Sequence, residues 1–342
     1  VQEVQDVQKA LTREAEGPSV SGSHRWLRLL VACVCLLTAS SAWAEQRFAF
    51  VLSGASGGTK YAEQMTEWRN GIRSALVDRY GFPAANVRVF VDETGKPDEQ
   101  GTAQNVRNAI AAIRKQLTRD DVLLLILLGH GTYDGEAAKF NLVGPDLTAA
   151  DWNGLLNGLP GRLVIVNTTE ASFPFLERLS GPNRIVITAT DSAAQKYATV
   201  FPEYFAKAIG ETSTDLDKNG RTSIFEVFTV VSQSVKQHYD QRGQLTTERA
   251  VIDDNGDGVG REAEAPGPDG ALARTLYLDA ELPAASNNPE LAALLRRRRD
   301  LEAQAEALKL KKDSMPPPMW EAEYEKLMVE LARVSREIKS KS

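Results

Sequence analysis

Asp121–Leu128 reads DVLLLILL and runs straight into Gly129-His130-Gly131. Seven apolar residues without a polar interruption leave neither face of a strand for water, so the segment suits the centre of a parallel sheet covered on both sides. Outward from it, strand and helix patterns alternate. Before it come Arg47–Leu52 (RFAFVL), a helical stretch Tyr61–Tyr80 with Met65, Trp68, Ile72, Leu76 and Val77 near one face, the strand Val87–Val91, and the helix Asn105–Leu117 with its stripe of Val106, Ile110, Ile113 and Leu117. After it come the strands Leu163–Val166 and Arg184–Ala189, with helices over Thr148–Leu156, Phe173–Leu179 and Phe201–Ile209. Such alternation predicts an α/β fold with a mostly parallel sheet between helical layers. Active groups in such sheets sit at the carboxyl ends of the strands.

The chain has 342 residues and a formal net charge of -6, so no basic field points to nucleic acid as a partner. Its 42% hydrophobic share suffices for a core and is too low for a multi-span membrane protein. Near the N-terminus, Arg25 and Arg28 precede the apolar run Leu29–Leu37, and Ala39-Ser40-Ser41-Ala42-Trp43-Ala44 offers a small-residue cleavage site. This predicts export to the periplasm or the exterior with cleavage after Ala44, and no membrane span afterwards. An uncleaved anchor, a buried helix, or a lipoprotein signal ending at Cys33, is the alternative. Residues 1–24 are polar and Met65 is the first methionine, which leaves Val1 and Val20 as rival starts. The only cysteines are Cys33 and Cys35, so the expected mature chain has neither a thiol nor a disulfide.

LLLILLGHGTYDG, then RLVIVN about 30 residues later, then RIVITATD, stand in the order and spacing of the caspase and legumain-type (asparaginyl endopeptidase) cysteine peptidases. Residues 47–210 resemble that superfamily, as a bacterial-type member. The resemblance implies a three-layer sandwich, with His130 as the base and the Gly131 N–H as an oxyanion donor. It places Thr169, in Asn167-Thr168-Thr169-Glu170-Ala171-Ser172, where the family has its cysteine. A threonine hydroxyl is neither ionised near neutral pH nor strongly nucleophilic, so lost proteolysis, a pseudoenzyme, is the expectation. A hydrolase using Thr169 or Ser172 with His130 is the alternative. Asp191 falls where the resemblance would put a substrate pocket, and equally suits a cap for the next helix.

Two stretches have calcium-loop spacing. Asp215, Asp217, Asn219, Ser223 and Glu226 occupy positions 1, 3, 5, 9 and 12 of an EF-hand-like loop, with Gly220 at the turn and the Arg221 carbonyl at position 7. A hard cation needs six or more oxygens, and this alternation brings them to one centre. Thr222 stands where an apolar residue is usual. The second loop carries Asp253, Asn255 and Asp257 at 1, 3 and 5, the Val259 carbonyl at 7 and Glu264 at 12, but no clear helix flanks it. Both are read as Ca²⁺ sites, with a Gly/Asp turn or a helix cap as the plain alternative.

Past Pro283 the composition changes. Asn288–Lys312 and Trp320–Lys339 are charged and helical, parted by Met315-Pro316-Pro317-Pro318. Trp320, Tyr324, Leu327, Leu331, Val334 and Ile338 step as a heptad seam, and Leu294, Leu301 and Leu308 repeat every seven. A helical hairpin of coiled-coil type is expected over 283–342, after a caspase/legumain-like domain over 45–282 and an extension with signal peptide over 1–44. The hairpin serves self-association or a protein partner, or packs on its own domain. Together these features predict an exported calcium-binding pseudo-peptidase that acts as a binding or assembly module, with a structural oligomer subunit as a further alternative.

Overall fold

The computed structural model describes residues 45–92, 96, 99–195, 197–280 and 288–341. The expected export signal, with Cys33 and Cys35, lies outside them. Among the described residues no helix is long and apolar enough to cross a membrane.

The apolar run becomes β3 (Val122–Leu128), buried along its whole length. It pairs in parallel with β1 (Arg47–Ser53) on one side and β7 (Arg162–Asn167) on the other. β2 (Val87–Phe90) extends the sheet beyond β1 and β8 (Arg184–Thr188) beyond β7, both in parallel. A short antiparallel strand, β9 (Val251–Asp253), closes the edge, giving the order β2-β1-β3-β7-β8-β9. Asp121, buried at the start of β3, accepts the Gln46 N–H at Oδ1 and the Thr118 N–H at Oδ2, which fixes the entry of β3 beside β1.

Alternate β3 side chains go to opposite cores, because strand side chains alternate in direction. Leu124, Ile126 and Leu128 join one core with α1 (Thr59–Ser74), α5 (Phe201–Gly210) and α6 (Ile224–Gln241). Leu123, Leu125 and Leu127 join the other with α2 (Ala103–Ile113), α3 (Ala149–Leu156) and α4 (Phe173–Leu179). The result is the expected three-layer α/β sandwich. Truncating one of these leucines to alanine costs about 2–5 kcal/mol.

A second sheet follows β3: β4 (Gly131–Tyr133), β5 (Ala138–Phe140) and β6 (Leu147–Thr148), all antiparallel. Its strands are of two or three residues, too short for an alternation to register. The helix of residues 61–80 ends its regular part at Ser74 and continues as a π-turn over Ala75–Arg79. The C-terminal helices are α8 (Pro289–Lys309) and α9 (Pro317–Lys341), after a short α7 (Ala271–Thr275). They form the expected hairpin, with Leu291, Leu295, Leu301, Val334 and Ile338 at its core.

Candidate functional site

Parallel pairing of β1, β3 and β7 brings three carboxyl ends together. Ser56 follows β1, His130 follows β3, and Thr169 and Glu170 follow β7. His130 Nδ1 lies 3.2 Å from Glu170 Oε1, and Nε2 lies 3.2 Å from the Ser56 carbonyl oxygen. Carbonyl and carboxylate oxygens are acceptors, so this geometry favours the protonated imidazole, in which both ring nitrogens can donate. The Glu170 carboxylate raises the His130 pKa above its usual value, and burial opposes this. Tyr61 stands edge-on to the imidazole, with ring centroids 4.8 Å apart.

The other Glu170 oxygen, Oε2, accepts the Gly131 N–H at 3.4 Å. That N–H is the donor that the peptidase resemblance would give to an oxyanion. One carboxylate of Glu170 therefore reaches both the His130 ring and the Gly131 N–H.

Thr169 is fully buried, and its hydroxyl donates to Asn167 Oδ1 at 2.9 Å, which also accepts the Thr169 N–H. The side chain packs on the Cα of Gly131: a Cβ there would lie 2.5 Å from Thr169 Oγ1, so only glycine fits. Ser172 is also fully buried and shares a hydrogen bond of 3.0 Å with Thr190 Oγ1. Neither hydroxyl bonds His130; Glu170 does. The sequence reading missed Glu170, although its acidic side chain stands directly after the cysteine position and facing His-Gly.

Asp191 follows β8 and lies 3.9 Å from Arg249, at the rim of a cleft it shares with Tyr133, Phe173, Glu177 and Ser192. It does not cap the next helix. Glu248 does, accepting the Val200 and Phe201 N–H groups at the start of α5.

In the first loop the Asp215, Asp217 and Glu226 carboxylates come within 4.8 Å of one another, an acidic group able to hold a metal ion. The local fold explains the convergence. Ser223 caps α6, and Glu226 closes a reciprocal capping box. This turns Glu226 back so that Oε1 accepts the Leu216 and Asp217 N–H groups. Asp215 accepts the Asn219 and Gly220 N–H groups, and Asn219 Oδ1 accepts that of Arg221. Lys218 and Gly220 take positive φ, 58° and 81°, in the tight turn. Thr222, the unusual residue, pairs through its backbone: its carbonyl accepts the Leu278 N–H, and the Ile224 N–H reaches the Leu276 carbonyl. The oxygen-only donor set of Asp215, Asp217, Asn219 and Glu226 fits a hard cation.

The second loop is built differently. Asp253 is buried at the end of β9, where its oxygens accept the Gly256 and Gly258 N–H groups and the Ser180 hydroxyl. Asn255 accepts the Asp257 N–H, and Asp257 that of Val259. Glu264 turns outward to Lys236, 3.1 Å away. Asp254 and Asp269 are buried beside the loop and accept backbone N–H groups from Gly270, Ala273, Asp254 and Asn255. Burial raises both pKa values, that of Asp269 to about 6.

Over 57 residues the chain is 40% identical to metacaspase-4 of Arabidopsis thaliana, a stretch of 17% of this chain and 13% of that protein. The chain carries a short segment of metacaspase-like sequence. No family model matches it. The crystal structure of a Geobacter sulfurreducens protein from structural genomics aligns with 61% of this chain and 92% of its own, at 12% identity and a TM-score of 0.40.

Proposed function

We propose that this chain is an exported, calcium-binding, non-proteolytic module of caspase-like fold that holds a protein partner. The observation that carries this reading is Glu170, whose carboxylate occupies His130 and Gly131 together. A general base needs a free lone pair, and both imidazole nitrogens here are directed at oxygen acceptors. The oxyanion donor is spent on the same carboxylate. No cysteine occurs after Cys35, and the hydroxyls of Thr169 and Ser172 are committed to Asn167 and Thr190.

Calcium would be held by Asp215, Asp217, Asn219 and Glu226 with the Arg221 carbonyl, and would neutralise three carboxylates that otherwise repel. The Leu29–Leu37 run and the small residues before Glu45 support export. Sequencing the N-terminus of the protein from its native compartment checks cleavage after Ala44.

The decisive assay sets the purified protein against a mixed peptide library, with and without calcium, beside His130→Ala. No cleavage is expected from either. Turnover that disappears in His130→Ala, or electrophile labelling at Thr169 or Ser172, would hand the chain to the hydrolase reading.

A further inference from the structure

Among the described residues, the hairpin's apolar core contains hairpin residues alone. Ion pairs tie it to the body. Arg221 reaches Glu302 at 2.6 Å, Arg274 lies 3.8 Å from Glu306, and Arg299 meets Glu45. Between α8, α9 and the body there remains a cavity of about 770 Å³, floored by Phe225, Thr229 and Tyr277. An incompletely packed interface of this kind resembles a transient contact more than a core.

Two of the body's arginines are held in the same way. The Arg221 guanidinium lies 3.6 Å above the Tyr277 ring centroid, and that of Arg274 lies 3.6 Å above Phe225. Stacking on a ring fixes the guanidinium plane and leaves its edge for a carboxylate. The carboxylates they meet, Glu302 and Glu306, are four residues apart on α8 and thus on one helix face. Glu302 Oε2 is buried and accepts no hydrogen bond, so the pair is held without full satisfaction of the acid.

We propose that Arg221 on Tyr277 and Arg274 on Phe225 form a docking surface for an acidic helix with carboxylates four residues apart, which the chain's own α8 covers in the closed state. The charge complementarity seen in cis defines the partner: a helix carrying Glu-x-x-x-Glu on one face. The hairpin is its internal competitor. This deepens the reading of the chain as a protein-holding module and rests on it, but its test needs neither calcium nor the His130 site.

The probe is a labelled peptide of residues 289–309, followed by fluorescence anisotropy against the full chain. Glu302→Gln with Glu306→Gln in the protein should loosen α8, so that the peptide binds this variant at least tenfold tighter than wild type. Adding Arg221→Met and Arg274→Met should reverse the gain, and a peptide bearing the same two glutamines should not bind. Equal affinity for wild type and the Glu302→Gln/Glu306→Gln chain, or binding that survives loss of both arginines, overturns the proposal. Hydrogen exchange of wild type supplies a second readout. Raising salt from about 0.05 M to about 1 M shortens the screening length to about 3 Å. The α8 amides should then exchange several-fold faster while β3 stays protected. Unchanged α8 exchange would count against the latch.

Discussion

At His130 a carboxylate meets an imidazole ring and a backbone N–H; at Asp215, Asp217 and Glu226 three carboxylates meet one another. The first arrangement sets its acid against donors from a ring and a backbone. The second sets three acids together and answers them with backbone N–H groups, the Ser223 hydroxyl and the Asn219 amide. The contrast separates an acid already matched by donors from an acidic group able to hold a metal ion.

The strongest way to break the contrast is to supply the cation. Calcium at about a hundred times its dissociation constant should stabilise the native chain by about 2.7 kcal/mol, read as a rise in melting temperature. Asp217→Ala should abolish that rise, and Asp257→Ala should leave most of it. A flat melting curve at millimolar calcium would reduce the first loop to a turn.

Without calcium, the same loop can be probed through its helix cap. Ser223→Ala removes the acceptor of the Glu226 N–H and should cost about 1 kcal/mol in urea unfolding. A change within error would show that Glu226 turns back for reasons other than the cap.

At the His130 site, Glu170→Gln should lower the His130 pKa, followed by NMR of the ring protons. The folded pKa is raised, so the pair's stabilisation is fully present below about 6.5, the ordinary histidine value, and is lost as pH rises through the folded value. The variant should lose about 1 kcal/mol in the acidic range and nothing in the alkaline range. An unmoved His130 titration would sink the account of the site.

The smallest effect is expected at Glu264→Gln. Its exposed pair with Lys236 is screened by solvent and should leave the urea midpoint unchanged, and calcium affinity at the first loop should not change.

The parallel sheet was legible because β3 has no polar residue for seven positions and its neighbours are equally apolar. The hairpin was legible from its heptads, although Trp320 and Tyr324 stack on each other near the turn instead of entering the core. The strands β4 to β6 were not, since pieces of two or three residues carry no period. The two Asp/Gly loops share their spacing in sequence, yet only the first brings its position-12 acid back. A helix starting at Ile224 rotates Glu226 over the loop, whereas Glu264 has no helix to turn it. The placement of His130, Gly131 and Thr169 at neighbouring strand ends could be read from the sequence. That Glu170 rather than Thr169 faces the histidine depends on the chain's course after β7: Thr169 turns inward to Asn167 and against Gly131, which leaves the next side chain to point across the gap.

Glu45 binds Arg162 at 2.5 Å and also meets Arg299, 254 positions further along the chain. A chain made from its N-terminus presents this glutamate among the first residues of the sandwich and its second arginine only near the end of synthesis. The sheet can assemble while Arg162 alone holds the acid. Arrival of Arg299 then fastens the finished hairpin to the oldest part of the fold, so the contact acts as a completion mark that a nascent chain halted before α8 does not bear.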